Sequence, residues 1–179
     1  MSRSSLRFDP VFALGTGGQV RGLINLMSDI QSINPSKQSW VEIGTHLGES
    51  ALIMSSFNFM ETLNCVDPSI AECREVLEKR LSNGIRIKQI HLHSIKSEEY
   101  AEKIADYSID GIYIDGCHKL ECVRTDLSIW HNKVKKDGFI CGHDHSDSWP
   151  EVRQAIDEFC EQHNYKIKKY VDSSWMILR

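Results

Sequence analysis

The chain has 179 residues, of which 41% are hydrophobic and 26% charged, and a net charge of −4. That length and balance describe a globular domain with enough apolar side chains to bury a core. The acidic charge excludes the basic footprint of a nucleic-acid or anionic-membrane binder, and no apolar run approaches the ~20 residues of a membrane-spanning helix.

The opening stretch "MSRSSLRFDP" lacks the apolar core of a secretion signal. Six cysteines (Cys65, Cys73, Cys117, Cys122, Cys141, Cys160) are scattered along the chain and read as reduced thiols in a cytoplasmic protein. One domain is expected: residues 1–38 as an N-terminal segment with a covering helix, and 39–179 as an α/β core. Gly15, Gly17 and Gly18 resemble a phosphate loop, but no strand precedes them and no Lys-Ser/Thr pair follows. Val20, Leu23, Ile24, Met27 and Ile30 then mark one face of an amphipathic helix.

From residue 39 strands and helices alternate. "SWVEIG" (39–44) reads as a buried strand, followed by a helix around "ESALIMSSF"; "TLNCVD" (62–67) is a second strand. "SIAECREVLEKRLSNG" predicts a helix opened by a capping box at Ser69 and Glu72 and ended by Gly84. "IKQIHLHS" (87–94) alternates like a strand, "SEEYAEKIADY" is helical, and "IDGIYIDG" (109–116) is a fourth strand. Leu120, Val123, Leu127, Trp130 and Val134 recur at spacings of 3, 4, 3 and 4, the stripe of a helix. "GFICGH" is a fifth strand. A helix from Ser148 follows, with Pro150 in its first turn and Glu151 completing a second capping box. "YKIKKYVD" and "SWMILR" close the chain as an antiparallel hairpin.

Five βα units and a hairpin predict an α/β fold: a Rossmann-like, doubly wound, seven-stranded sheet, mostly parallel with an antiparallel last strand and helices on both faces. Ligands on such sheets bind at the carboxyl ends of the strands, where strand order reverses. The unusual polar residues gather in those places: "EIGTHLGES", "CVDPS", "LHSIK", "IDGCHK" and "CGHDHSD".

In the first of them Gly44 and Gly48 flank a strand-to-helix turn behind Glu42, which lets backbone approach a ligand. Asp67 ends the next strand, nineteen residues after Gly48, where a carboxylate can accept both hydroxyls of a ribose. The spacing is G-x-x-x-G rather than the G-x-G-x-x-G of dinucleotide folds, which favours a ribose-bearing ligand without a pyrophosphate. The plain alternative is a glycine turn with a capping Asp67.

"EIGTHLGES", "IDGCHKLECVRTDLSIW" and "KKDGFICGHD" resemble the motifs of class I S-adenosylmethionine-dependent methyltransferases. The likeness is to the catechol and caffeoyl-CoA O-methyltransferases and to the sugar and macrolide O-methyltransferases. It runs from about residue 39 onward. It implies S-adenosyl-L-methionine as cofactor and a hydroxylated small molecule, a sugar or a phenol, as methyl acceptor. It also implies that Glu42 approaches the methionine amino group and Ser50 its carboxylate. Gly44 and Gly48 would line the cofactor, Asp67 would bind the ribose, and Ser94 would hold the adenine end. In such relatives a loop like 8–19 helps to cover the cofactor.

The resemblance further implies a divalent metal (Mg²⁺, Mn²⁺ or another) held by Asp115, His143 and Asp144, with His118 as general base. His143 stands where the family carries an oxygen ligand. That either shifts the preference from Mg²⁺ toward Mn²⁺, Fe²⁺ or Zn²⁺, leaves His143 hydrogen-bonding behind the ligands, or leaves no metal at all. Cys117, His118, Cys122, Cys141, His143 and His145 include zinc-ligand types but contain no C-x-x-C. His145 and Asp147 are expected to face solvent, and His131 and His163 to sit at helix ends. The short core suits a small acceptor in an open cleft, or a pocket completed by a second subunit in a homodimer. Two other readings are a metal-dependent hydrolase using the His/Asp cluster and a non-catalytic S-adenosylmethionine- or nucleotide-binding module.

Overall fold

A computed structural model describes residues 20–179. The glycine cluster at 15–18 and the covering loop at 8–19 lie outside the described residues. The chain runs α1 (Arg21–Ile33), β1 (Gln38–Ile43), α2 (Glu49–Ser55), β2 (Met60–Val66), α3 (Ile70–Arg80), α4 (Ser82–Arg86) and β3 (Ile90–His93). It continues through α5 (Ser97–Ala101), β4 (Ile109–Ile114), α6 (Leu120–Lys133), β5 (Val134–Gly142), α7 (Pro150–His163), β6 (Lys166–Lys169) and β7 (Trp175–Leu178). Seven strands form one sheet in the order β3-β2-β1-β4-β5-β7-β6. The pairs among the first five are parallel, and β7 is antiparallel to both β5 and β6. The Rossmann-like, doubly wound fold read from the sequence is the fold observed.

Alternation along the central strands builds a core on each face. Trp40, Tyr113 and Cys141 point to the side covered by α1 and α2. Val41, Ile43, Ile112, Ile114 and Ile140 point to the side covered by α6 and α7. Strand order reverses between β1 and β4, so their carboxyl ends open a crevice there.

Several boundaries differ from the expected ones. The long helix expected to end at Gly84 stops at Arg80 and restarts as α4, because Leu81 turns into the core between them. Ser69 does not cap α3; its hydroxyl donates to Asp67 instead. Glu151 does not complete a box with Ser148, since its carboxylate accepts the Leu120 N–H at 2.8 Å and caps α6 from another element. The helix from Ser97 tightens into i→i−3 bonds after Ala101. Val134 leaves the helical stripe because it pairs with Ile109 and opens β5.

Helix α1 has no side-chain cap of its own and no acid in its first turn. Asp172, in the β6–β7 turn, supplies one: its Oδ2 accepts the Leu23 N–H at 2.9 Å, and its Oδ1 accepts the Ser174 N–H at 3.0 Å. A Cβ on Gly22 would stand 1.7 Å from that same Oδ1, so only glycine admits the cap. At the far end of the helix, Asp29 accepts from Lys168 at 2.7 Å and from Tyr170 at 2.8 Å. Losing an N-cap costs about 1 kcal/mol, equivalent to a melting shift of about 2–4 °C in a domain of this size. Asp172→Ala is expected to lower the melting temperature by that amount and Gly22→Ala by at least as much, measured by circular dichroism.

Candidate active site

A cleft of about 890 Å³ opens along the carboxyl ends of β1, β2, β4 and β5. At its centre the chain leaves β1 through Gly44, whose φ of 88° lies in the left-handed region. A Cβ there would stand 2.1 Å from the Asp115 carbonyl oxygen, so the close approach that demands glycine is to the end of β4. Gly48, with φ 77°, turns the chain into α2 and packs on Leu77 of α3 rather than bordering the cleft.

Glu42 is fully buried beneath this loop. Its carboxylate accepts the Thr45 hydroxyl at 2.8 Å and the Ser50 hydroxyl at 2.5 Å. Burial pushes the Glu42 carboxyl up to about 7, against the hydrogen bonds from Ser50, Thr45 and Cys65 that favour its charged form. Thr45 and Ser50 border the cleft while Glu42 does not, so the hydroxyls stand between Glu42 and any ligand. Asp67 borders the cleft at the end of β2. Its Oδ2 accepts the His46 N–H at 2.9 Å, and its Oδ1 accepts the Ser69 N–H at 2.8 Å. Ser94 lies off the cleft, bridging the Pro68 carbonyl and the Ala71 N–H.

The second half of the site comes from β4 and β5, which pair up to Ile114 and Gly142. Asp115 and His143 therefore leave adjacent strands side by side. His143 Nδ1 is 3.9 Å from Asp115 Oδ1 and 3.0 Å from Asp144 Oδ1. Asp144 adopts φ 66°, uncommon for a residue other than glycine, and its Oδ2 lies 2.7 Å from His118 Nε2. Asp144 thus bridges two imidazoles. Burial alone would raise its carboxyl, but His143 and His118 hold it below the ordinary range. Asp115 behaves oppositely: burial, assisted by Asp144 and Glu42, pushes it up to about 8 despite the attraction of His143. Burial disfavours the charged His143, but the bond to Asp144 and the nearby acids outweigh it and raise its pKa.

Asp115, His118 and Asp144 offer ligand atoms within 4.8 Å of one another, the one such group of three among the described residues. Two carboxylates and an imidazole suit a divalent cation that accepts nitrogen, and Asp115 is a half-buried acid with only His143 as a nearby imidazole partner, at 3.9 Å. Of the three ligands expected from the sequence, Asp115 and Asp144 fall in this group together with His118, while His143 lies beside both carboxylates at 3.9 Å and 3.0 Å. No cysteine joins a group of three ligand-type residues among the described residues: Cys122 meets only Cys117, and Cys141 is buried in β5, donating to the Ile112 carbonyl. His145 is buried rather than solvent-facing and bonds Asp157 at 2.8 Å. His131 and His163 pack on each other and on Phe159 and Tyr165 at the opposite end of the sheet.

Sequence reading missed Trp149, whose ring stacks on His118 with centroids 4.1 Å apart. It also missed Ser97 and Asp126, which border the β3 side of the cleft. Trp149 sits just before Pro150 and Asp126 on a helix, positions where no local pattern marks a site.

The gathering of a glycine turn, a strand-end acid and a His/Asp cluster on one crevice has counterparts in known proteins. Residues 41–145 match a family described as a methyltransferase domain, and the chain belongs to that family. The same architecture occurs in a provisionally assigned caffeoyl-CoA O-methyltransferase from Staphylococcus aureus, with TM-score 0.72 and 17% identity over 98% of this chain and 91% of that one. It occurs also in an O-methyltransferase from Bacillus cereus in complex with S-adenosylhomocysteine, with TM-score 0.65 and 13% identity over 91% and 80% of the two chains. The fold is that of the class I S-adenosylmethionine-dependent methyltransferases. An uncharacterized protein of Acanthamoeba polyphaga mimivirus is 29% identical over 128 residues, 67% of this chain; the chain spans 58% of that relative's length.

The raised carboxyl of Glu42 has a consequence for stability. Its ordinary value is 4.5 and its folded value about 7, so between those pH values the folded chain holds a proton that the unfolded chain has lost. Stability from this group therefore falls as pH rises through that window. Glu42→Gln is expected to reduce the stability lost between about pH 5 and about pH 8 by about 1–3 kcal/mol relative to the unaltered chain, read from urea denaturation. Asp115 and Asp126 keep the remaining slope of the same sign.

Proposed function

We propose that the protein is an S-adenosylmethionine-dependent O-methyltransferase acting on a small hydroxylated molecule, a sugar or a phenol. The observation that carries this reading is the His118–Asp144 pair at 2.7 Å. It stands beside Asp115 on the same cleft as Gly44, Ser50 and Asp67. The left-handed Gly44, the hydroxyls of Thr45 and Ser50, and the Asp67 carboxylate fit an amino acid joined to a ribose. When bound, S-adenosylmethionine supplies a methyl group on a positively charged sulfur.

The residues account for what remains. With Asp144 ionised, His118 Nε2 carries the proton and donates to Oδ2, which leaves Nδ1 free to accept. His118 takes the proton of the acceptor hydroxyl as the oxygen forms its bond to the methyl carbon, and later releases that proton to solvent. Asp144 fixes the tautomer and stabilises the imidazolium, and Trp149 holds the ring plane by stacking. Closure of acceptor and donor in one cleft supplies the proximity that such a displacement needs.

A second reading rests on the convergence of Asp115, His118 and Asp144. These three would hold a divalent cation, Mn²⁺, Fe²⁺ or Zn²⁺ in preference to Mg²⁺, and its chemistry there would be to acidify the acceptor hydroxyl. His118 is then a ligand rather than the base. A hydrolase finds no support in the family, and a non-catalytic binding module is separated from the enzyme by activity alone.

Calorimetric titration with S-adenosylmethionine is the first test. Binding that weakens at least about tenfold in Asp67→Ala supports the cofactor half, and no binding by the unaltered chain overturns the reading. With any catechol or methyl glycoside that is methylated, His118→Ala is expected to lower kcat by about 10²–10⁴-fold and leave S-adenosylhomocysteine affinity unchanged. Undiminished turnover in that variant would sink the base. Mn²⁺ binding heat that disappears in Asp144→Ala, with activity lost on chelation, favours the cation instead.

A further inference from the structure

All six cysteines are free, and four of them are accounted for by their surroundings. Cys65, Cys141 and Cys160 are buried, where a thiol serves as a small apolar side chain. Cys73 donates to the Ser69 carbonyl at 3.0 Å at the start of α3. Cys117 and Cys122 differ from these. Both border the cleft, one before and one inside the first turn of α6, with His118 between them in the chain. Cys117 is exposed, Cys122 is half-buried, and their thiols meet. Two thiols on an open wall bury little and bond weakly, so packing does not explain the pair; sulfur reactivity does.

The two cysteines are held unequally. The start of α6 is fixed by Glu151, which accepts the Leu120 N–H at 2.8 Å, by the Val123 N–H on the Lys119 carbonyl at 3.1 Å, and by Arg124 on Glu158 at 2.7 Å. Cys117 lies in the stretch between β4 and α6 that has no regular structure. Bonded sulfurs stand about 2.05 Å apart, well inside the contact distance of two thiols. Joining the pair therefore draws Cys117 toward the helix. His118, the next residue, moves with it, away from its 2.7 Å bond to Asp144 and its stack on Trp149.

We infer that Cys117 and Cys122 form an exchange-competent dithiol, which a small disulfide such as glutathione disulfide converts into a bridge across the entry to α6, displacing His118. The Cys117 sulfur bonds one sulfur of the small disulfide, whose other half leaves as a thiol carrying the Cys117 proton. The Cys122 sulfur then bonds the Cys117 sulfur, and the second small thiol leaves with the Cys122 proton. One small disulfide is reduced to two thiols while two protein thiols are oxidised, so no further reactant is needed. The exchange uses neither methyl donor nor acceptor and so stands apart from the proposed function.

The test incubates the full chain with excess glutathione disulfide, quenches with acid and maps the peptides by mass spectrometry. The unaltered chain is expected to lose two hydrogens as a Cys117–Cys122 bridge, with no glutathione retained on either residue and full reversal by dithiothreitol. Cys122→Ser should trap one glutathione on Cys117. Cys117→Ser should leave Cys122 at least about tenfold slower to react, since it is the less accessible thiol. Emission from Trp149, read as the difference between the unaltered chain and Trp149→Phe, should shift on bridging and return with dithiothreitol. Glutathione retained on both cysteines without a bridge, or both thiols left reduced, overturns the dithiol. A bridge that forms with Trp149 emission unchanged overturns the displacement of His118.

Discussion

The pairing of β4 with β1 on one side and β5 on the other is the constraint on which the site depends. Ile43 pairs with Ile114, and Ile114 with Gly142, so three parallel strands end level with one another. Parallel strands present all their carboxyl ends at one edge, and the residues just past those ends, Gly44, Asp115 and His143, must then share one crevice. The contact is tight enough that the backbone of Asp115 occupies the space a Gly44 side chain would need. The Gly44 loop and the His/Asp cluster are therefore held to each other by the sheet itself rather than by flexible side chains.

Gathering acids at such an edge is electrostatically unfavourable, and the chain manages it in two ways. Glu42 and Asp126 are buried without cations and Asp115 is half-buried beside His143, and their carboxyls rise to about 7, about 6 and about 8 respectively. Asp144 is held down by His118 and His143, so a firmly ionised carboxylate lies beside one that retains its proton readily. Environments that separate the pKa values of neighbouring groups are a feature of sites built to move protons. The energy forgone in stability is the expected cost of an arrangement suited to ligands.

The wall of the cleft is positioned by contacts distant in sequence. Val20 and Leu23 border it, and the Leu23 N–H is held by Asp172 from the C-terminal hairpin. That hairpin is inserted through β7 beside β5, next to the strand that carries His143 and Asp144. This hairpin thus supports both α1 and the strand edge that carries the His/Asp cluster, and among the described residues no helix is long and apolar enough to cross a membrane.

Much of this architecture was legible in the sequence. Alternation of apolar residues marks β1 and β4, a 3-and-4 spacing marks α6, and the Gly44–Gly48 turn with Asp67 marks a ligand edge, because these signals are local and periodic. Other features needed the folded chain. Glu151 and Ser69 satisfy a capping pattern on paper, yet in the fold Glu151 bonds Leu120 and Ser69 bonds Asp67, since partners brought close in space displace those close in sequence. Asp126 looks like one polar residue on an exposed helix face until Ser97 and Trp130 close over it. His118 and His143 both meet Asp144, His118 through Nε2 at 2.7 Å and His143 through Nδ1 at 3.0 Å, which nothing in their sequence positions foretells. The sequence by itself determined the elements, the class of fold and the edge that carries the site. The tertiary structure alone decided which acids are buried, how the two histidines meet the carboxylates and which residue caps which helix, because burial and side-chain convergence are set by strand pairing and helix packing between residues far apart in the chain.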